Sequence, residues 1–239
     1  MRIAMLQMDV AEGDKERNIR HAFDLLDEAA PRADVLVMPE LWTIGYNFHD
    51  SSFAAFHHVT LAAGTLPLEK EGIVKNTGLI FGPDGRVQAH YSKRHLFYGY
   101  LEAQLMAPGT HLMETDIGGV KTGMAVCYEF YFPKMWRKMA KAGITLVLAP
   151  ASWPKVHLSQ WEVLTRARAI ENGMCTVNMV GTYHGVQLGG HSMFIDPVGR
   201  VEVEGDLEEH IYYADYDEVK YKDLGKQLAV IRLEKEIGQ

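Results

Sequence analysis

The chain has 239 residues, 47% of them hydrophobic and 23% charged, with a formal net charge of -7, the balance of a soluble globular protein with one sizeable core. No dense Lys/Arg tract offers the concentrated positive patch that nucleic acid or an anionic membrane surface needs, so small molecules are the expected partners. Two cysteines without paired spacing fit a reducing cytoplasm, and no apolar run reaches the roughly 18 residues of a membrane helix. Met1 to Val10 reads as a short strand interrupted by Gln7 and Asp9, not as a signal peptide.

In chain order, "RIAMLQMD" and "DVLVMP" read as buried strands on either side of "DKERNIRHAFDLLDEAA". In that segment Ile19, Ala22, Phe23, Leu26 and Ala29 recur at helical spacing, so the three form a βαβ unit. A polar and aromatic loop follows. "GIVKNTGLIF" and "VQAHY", joined by "GPDG", and later "HSMFI" and "RVEVEG", joined by "DPVG", read as antiparallel hairpins. Between them lie two strand-to-helix units, "KTGMAVC" into "PKMWRKMAKAG" and "ITLVLAP" into "HLSQWEVLTRARAIENG". Pro133 in the first turn and Gly143 past the end mark the limits of the first of these helices. No linker or solenoid repeat divides the chain, so residues 1–239 read as one domain with mixed sheets and a less regular tail from about residue 218.

Four residues sit at strand ends or on the loops just beyond, where α/β proteins place functional groups. Glu40 closes "VLVMPE", Lys93 follows a strand in "HYSKRHLF", Glu102 opens a helix in "GYLEAQ", and Cys127 ends a strand before a turn into a helix. Each has a plainer reading alone: a solvated carboxylate, a surface lysine, a helix-start glutamate, a small buried hydrophobe. Together they supply a nucleophile, a proton shuttle and a positive charge for a carbonyl oxygen that becomes negative, the needs of acyl transfer from an amide. N–H groups at the turn after Cys127 favour a thiolate and can receive an oxyanion. Spacing alone does not show that Glu40, Lys93 and Cys127 converge.

"VLVMPELW", "YSKRHLF" with its following glutamate, "GMAVCYEFYFP" and "HLSQWEVLTRARAIENG…GGHSMFIDPVGRV" resemble, in order, the motif blocks of the nitrilase superfamily, the carbon–nitrogen hydrolases. The resemblance runs from Met1 to about Asp217. It implies a four-layer α-β-β-α sandwich and a catalytic triad of Glu40, Lys93 and Cys127, with Glu102 supporting the lysine and the backbone N–H of Tyr128 joining Lys93 at the oxyanion. It also implies a homodimer or higher homo-oligomer formed through Pro133 to Ala142 and His157 to Asn172. "PELWTIGY", "KRHLF" and "RARAIEN" are similar to the branch containing ω-amidases. Substrate-contact candidates are Tyr46, Tyr131 and Trp153, then Lys155, His157 and Arg94.

Three positions depart from the amidase pattern C-Y-D-x-R-F-P-E: Glu129 replaces its aspartate, Tyr131 its arginine and Lys134 its last glutamate. A tyrosine hydroxyl does not replace an arginine's forked charge. The segment after Glu40 also looks short, as though a helix beside the site were cut down. The resulting expectation is a cytoplasmic amidohydrolase that forms a cysteine thioester without metal or cofactor, with N-carbamoyl or nitrile hydrolysis as alternatives. A binding or assembly module of the same fold without turnover is the rival from another class. A Cys–His protease has no nominated histidine. His57 and His58, read in a strand, would point to opposite faces rather than share a metal. Cys175 reads as core, and "GTYHGVQLGG" lacks the lysine of a phosphate loop.

Overall fold

A computed structural model describes residues 1–11, 13–43, 57–99, 102–184 and 188–227. Its first sheet runs, in spatial order, β14 (His210–Asp215), β1 (Arg2–Gln7), β3 (Val35–Val37), β4 (Thr60–Lys70), β5 (Ile73–Phe81) and β6 (Val87–Ser92). The second runs β13 (Val201–Glu204), β12 (Met193–Ile195), β10 (Cys175–Val180), β9 (Leu146–Ala151), β8 (Val120–Met124) and β7 (Glu114–Ile117). Both repeat one pattern. Three parallel strands, β1, β3, β4 in one and β8, β9, β10 in the other, carry one antiparallel strand on one flank and two on the opposite flank. The two expected hairpins are β5–β6 and β12–β13. A short parallel pair, β2 (Asp9–Ala11) with β11 (Thr182–His184), stands apart.

Alternation along the strands sorts side chains into layers, because successive residues face opposite sides of a sheet. Ile3, Met5, Val35 and Val37 meet Leu146, Leu148, Val177 and Met179 in a core between the two sheets. Ala4, Leu6 and Leu36 face outward onto helix α1 (Lys15–Ala29), which contributes Ala22, Leu25, Leu26 and Ala29. On the far side, Val147 and Ala149 pack with Met135, Trp136 and Met139 of α3 (Pro133–Lys141) and with Trp161 and Ala169 of α4 (Leu158–Asn172). The result is the four-layer α-β-β-α sandwich. Helix α2 (Glu102–Leu105) is a single turn. Cys175 is fully buried between the sheets, as expected of a core residue.

Several expectations need correction. The stretch after residue 217 holds a ten-residue helix, α5 (Glu218–Gln227), whose Tyr221 joins Tyr216 in the inter-sheet core. Glycine at both contacts lets this helix sit against the end of α4, since a Cβ at Gly225 would lie 2.5 Å from the Gly173 carbonyl oxygen. Strand β4 lay in a segment read as loop, because Gly64 and Pro67 both interrupt a strand pattern. Each has its reason in the fold. Gly64 (φ +61°) forms a bulge, and Pro67 lies beyond the end of β3, which pairs only with Thr60 to Ala62. His58 lies in a turn rather than a strand, and His57 Nε2 is 3.0 Å from Asp27 Oδ1.

Candidate active site

Four segments converge at one end of the inter-sheet core, beyond the carboxyl ends of β3, β8 and β9. Glu40 follows β3 and is locked in place by main-chain contacts. Leu41 N donates to Thr65 O at 2.9 Å, and Ser152 Oγ donates to Glu40 O at 2.9 Å. Glu40 is 4% exposed and Lys93 is 1% exposed, so neither charge is solvated by water. They neutralise each other instead. Lys93 Nζ donates to Glu40 Oε1 at 2.9 Å and to Glu102 Oε2 at 2.9 Å, and the Phe97 N–H holds Glu102 Oε2 at 2.7 Å. Burial alone would pull the lysine down. The carboxylates of Glu40 and Glu102 outweigh it and push its pKa above the usual lysine range, so Lys93 remains an ammonium.

Cys127 opens a short 3-10 turn, Cys127–Tyr131, between β8 and α3. Its backbone is left-handed at φ +48°, a conformation uncommon for a residue with a side chain and found where a site dictates the shape of the turn. Its sulfur lies 3.8 Å from the Ser152 carbonyl oxygen and is close enough to Glu40 for that carboxylate to act on it. At the start of such a turn the first N–H groups, Tyr128's among them, have no partner within the helix. The expected thiolate is corrected by this environment. Burial first and the Glu40 carboxylate second raise the thiol well above its ordinary range, against the opposing pull of Lys93. The resting group is therefore a neutral thiol facing a carboxylate.

The two oxygens of Glu40 have different surroundings. Oε1 accepts from Lys93 Nζ and from Asn76 Nδ2, both at 2.9 Å, whereas Oε2 accepts from Ser152 N at 2.8 Å. A carboxylate oxygen has about two lone-pair positions, so Oε1 is filled and Oε2 retains one.

Sequence reasoning missed three members of this assembly. Asn76 was hidden in the middle of a strand, and Ser152 reaches the Glu40 carboxylate through its main chain, where residue type is silent. Glu129, a departure from the family pattern, organises the turn. It is fully buried, and its carboxylate accepts from Val126 N at 2.8 Å, Arg94 N at 2.9 Å, His95 N at 3.2 Å and Tyr91 Oη at 2.8 Å. It thereby ties the cysteine turn to the loop carrying Lys93. Arg168 of α4 holds the same turn from its other side, Nε donating to Phe130 O at 2.8 Å.

Of the substrate-contact candidates, Tyr46 lies outside the described residues. Tyr131 is 41% exposed, its hydroxyl donates to Gln160 Oε1, and its ring stacks on Trp153 at 5.8 Å. Trp153 is buried against Phe130 and Trp161, with its indole N–H donated to His157 O at 2.9 Å. Tyr131 is thus the accessible face of an aromatic stack and Trp153 its support. Lys155 and His157 are exposed on the 3-10 turn before α4, and Arg94 reaches Glu129 through its backbone.

Residues 2–224 match the carbon–nitrogen hydrolase family. The chain belongs to that family. It is similar to the 2-oxoglutaramate amidase of Bacillus subtilis, with 34% identity over 90% of this chain and 90% of the relative. It is also similar to the omega-amidase NIT2 of Mus musculus, with 28% identity over 97% and 94%. Among solved structures, a glutamate-to-glutamine variant of the amidase from Nesterenkonia sp. AN1 superposes with a TM-score of 0.80 at 27% identity, covering 93% of this chain and 92% of that one. That structure shows covalent addition of the acetamide moiety of fluoroacetamide at its active-site cysteine. This carbon–nitrogen hydrolase therefore has the nitrilase-superfamily fold implied by its motif blocks, and it is a hydrolase of carbon–nitrogen bonds. Among its described residues, no helix is long and apolar enough to cross a membrane.

Proposed function

We propose that this carbon–nitrogen hydrolase cleaves the terminal amide of a small ω-monoamide of a dicarboxylic or 2-oxo acid, releasing ammonia through a thioester on Cys127. The observation that carries the reading is the convergence of one thiol, one carboxylate and one buried ammonium from distant segments. The names of the relatives in Bacillus and mouse supply the substrate class. Glu40 Oε2 takes the thiol proton as sulfur attacks the amide carbon. Because the thiol rests neutral, transfer and attack are coupled. The carbonyl oxygen becomes negative between Lys93 Nζ and the Tyr128 N–H, the two donors that would hold it. Glu40 then passes its proton to the departing nitrogen and later takes one from the water that cleaves the thioester. Glu102 holds Lys93 as its second carboxylate partner. No metal or cofactor enters any step.

Recognition of a distal carboxylate must be local, since the chain is net acidic. Tyr131, Lys155, His157, Arg94 and Tyr46 are the groups to test. The experiment is ammonia release from ω-monoamides, neutral amides of equal length, N-carbamoyl amino acids and nitriles. An ω-monoamide should exceed its neutral counterpart at least about tenfold in kcat/KM, the equivalent of about 1.4 kcal/mol. Equal rates would move the assignment to an aliphatic amidase, preference for a carbamoyl compound or nitrile would move it to that class, and no release from any of them would favour a binding module.

The same reading extends to assembly and location. The chain forms a homodimer through α3 and α4. Val163 and Ile170 of α4, seven residues apart, are 67% and 39% exposed, and Val156 on the turn before it is 80% exposed, apolar surface that a second copy would cover. Val163→Glu should convert the dimer to a monomer in sedimentation, and an unchanged mass would reject this face. Both cysteines are free, which supports a reducing cytoplasm.

A further inference from the structure

Asn76 breaks two local rules at once. Asparagine is a poor strand former, yet it stands in the interior of β5. It is fully buried, and among the described residues its side-chain oxygen Oδ1 has no hydrogen-bond partner, although buried polar atoms are normally satisfied. Such local inconsistencies are expected where a residue serves a site rather than the fold. Its other contacts show what it serves. The single nitrogen Nδ2 donates one hydrogen to Glu40 Oε1 at 2.9 Å and the other to Glu102 Oε1 at 2.7 Å, while the main-chain oxygen of the same residue accepts from Lys93 N at 2.8 Å. Lys93 Nζ donates to the same two carboxylate oxygens, at 2.9 Å and 3.1 Å. Lysine, two glutamates and asparagine therefore close a ring of four hydrogen bonds with two donor groups facing two acceptors. Reversing the amide would turn Oδ1 onto two carboxylates, so the orientation that leaves it unpaired is the one the charges demand.

We infer that Asn76 is a positioning residue of the reaction. Resting on the reading of Glu40 as base and Lys93 as oxyanion donor, the inference assigns Asn76 the task of occupying Glu40 Oε1 and fixing the separation of the two carboxylates around one ammonium. With Oε1 held from two sides, the carboxylate cannot rotate, and Oε2 keeps its remaining lone pair for the thiol proton. A neutral double donor is the group that can do this, because a second cation would take the negative charge Glu40 needs as a base, and an acceptor would repel both carboxylates.

The test compares Asn76→Ala and Asn76→Asp with wild type and Glu40→Gln, measuring kcat and KM from pH 5.5 to 8 and normalising to folded protein by circular dichroism. Asn76→Ala should lower kcat about 10- to 100-fold, the usual consequence of misplacing a catalytic group by about 1 Å, with KM within about threefold. Asn76→Asp keeps the shape but sets a third carboxylate against Glu40 and Glu102, beside Lys93 and Cys127. Its kcat should fall further at pH 8. Its ratio to wild type should rise as pH falls, because a protonated carboxyl regains one donor. A purely structural role would give parallel profiles and losses that vanish on normalisation. Should Asn76→Asp not fold, Asn76→Ser, with one donor, should lie between alanine and wild type. Asn76→Ala within threefold of wild type beside an inactive Glu40→Gln overturns the inference alone, whereas an active Glu40→Gln overturns the reading on which it rests.

Discussion

Among single side chains, the contact between Cys127 and Glu40 decides the most. A buried thiol beside a carboxylate is a poor anion, so reactivity has to come from the base at the moment of attack rather than from a standing thiolate. Cys127→Ala should abolish ammonia release while the fold persists, and an acyl adduct trapped in the wild type should map by mass spectrometry to Cys127 and not Cys175. Glu40→Gln and Lys93→Met should each lower the rate by about 10² to 10⁴. Glu102→Gln should lose less, because Lys93 keeps Glu40 as a partner. Near-wild-type turnover in Lys93→Met would eliminate the oxyanion role. The chemistry-bearing residues were legible one by one, since ionisable groups that end apolar strands are conspicuous. Their partners were not. Asn76, Ser152 and Glu129 act mostly through hydrogen bonds between distant segments, as far as 112 positions apart, and nothing in local spacing reports such a contact.

Strands and turns show a similar division. The βαβ unit, both hairpins and both strand-to-helix units follow from periodicity and from turn residues, which act within a few positions. Strand β4 escaped because its two breakers have tertiary explanations. Gly64 is the sharper one. A Cβ there would stand 1.9 Å from the Pro39 carbonyl oxygen, next to Glu40, and the backbone is left-handed. Gly64→Ala should thus do two things: destabilise the protein by about 2 to 4 kcal/mol through overpacking and strain, and shift Glu40. Chemical denaturation combined with kcat on the folded fraction separates the two effects. A stable variant with normal turnover would show that β4 does not set the position of Glu40.

Taken together, the buried ionisable groups give the molecule an alkaline weakness. Burial is the leading cause that raises the thiols of Cys127 and Cys175 and the phenol of Tyr91, reinforced by Glu40, Asp196 and Glu129 respectively. In the unfolded chain a thiol loses its proton near about 8.5. Above that pH the unfolded state binds fewer protons than the folded one, so stability must fall as pH rises, by up to about 1.4 kcal/mol per pH unit for each thiol. Lys93, raised by its carboxylates, adds the same sign above about 10.4. Denaturant midpoints between pH 7.5 and 10 should decline, and Cys175→Ala should flatten the slope; a midpoint that held steady or rose would contradict this account. The doubled arrangement of the two sheets was visible only in pieces, since which strands become neighbours depends on the whole chain. One pairing has a temporal meaning. Strand β1 is flanked by β3 and by β14, and the β14 register joins Arg2 to Asp215 and Gln7 to His210. A nascent chain emerging from the ribosome therefore keeps one edge of its first strand bare until some two hundred further residues have been made. That open edge is a ready template for wrong partners, so for most of its synthesis this protein's safety rests on how fast translation delivers β14.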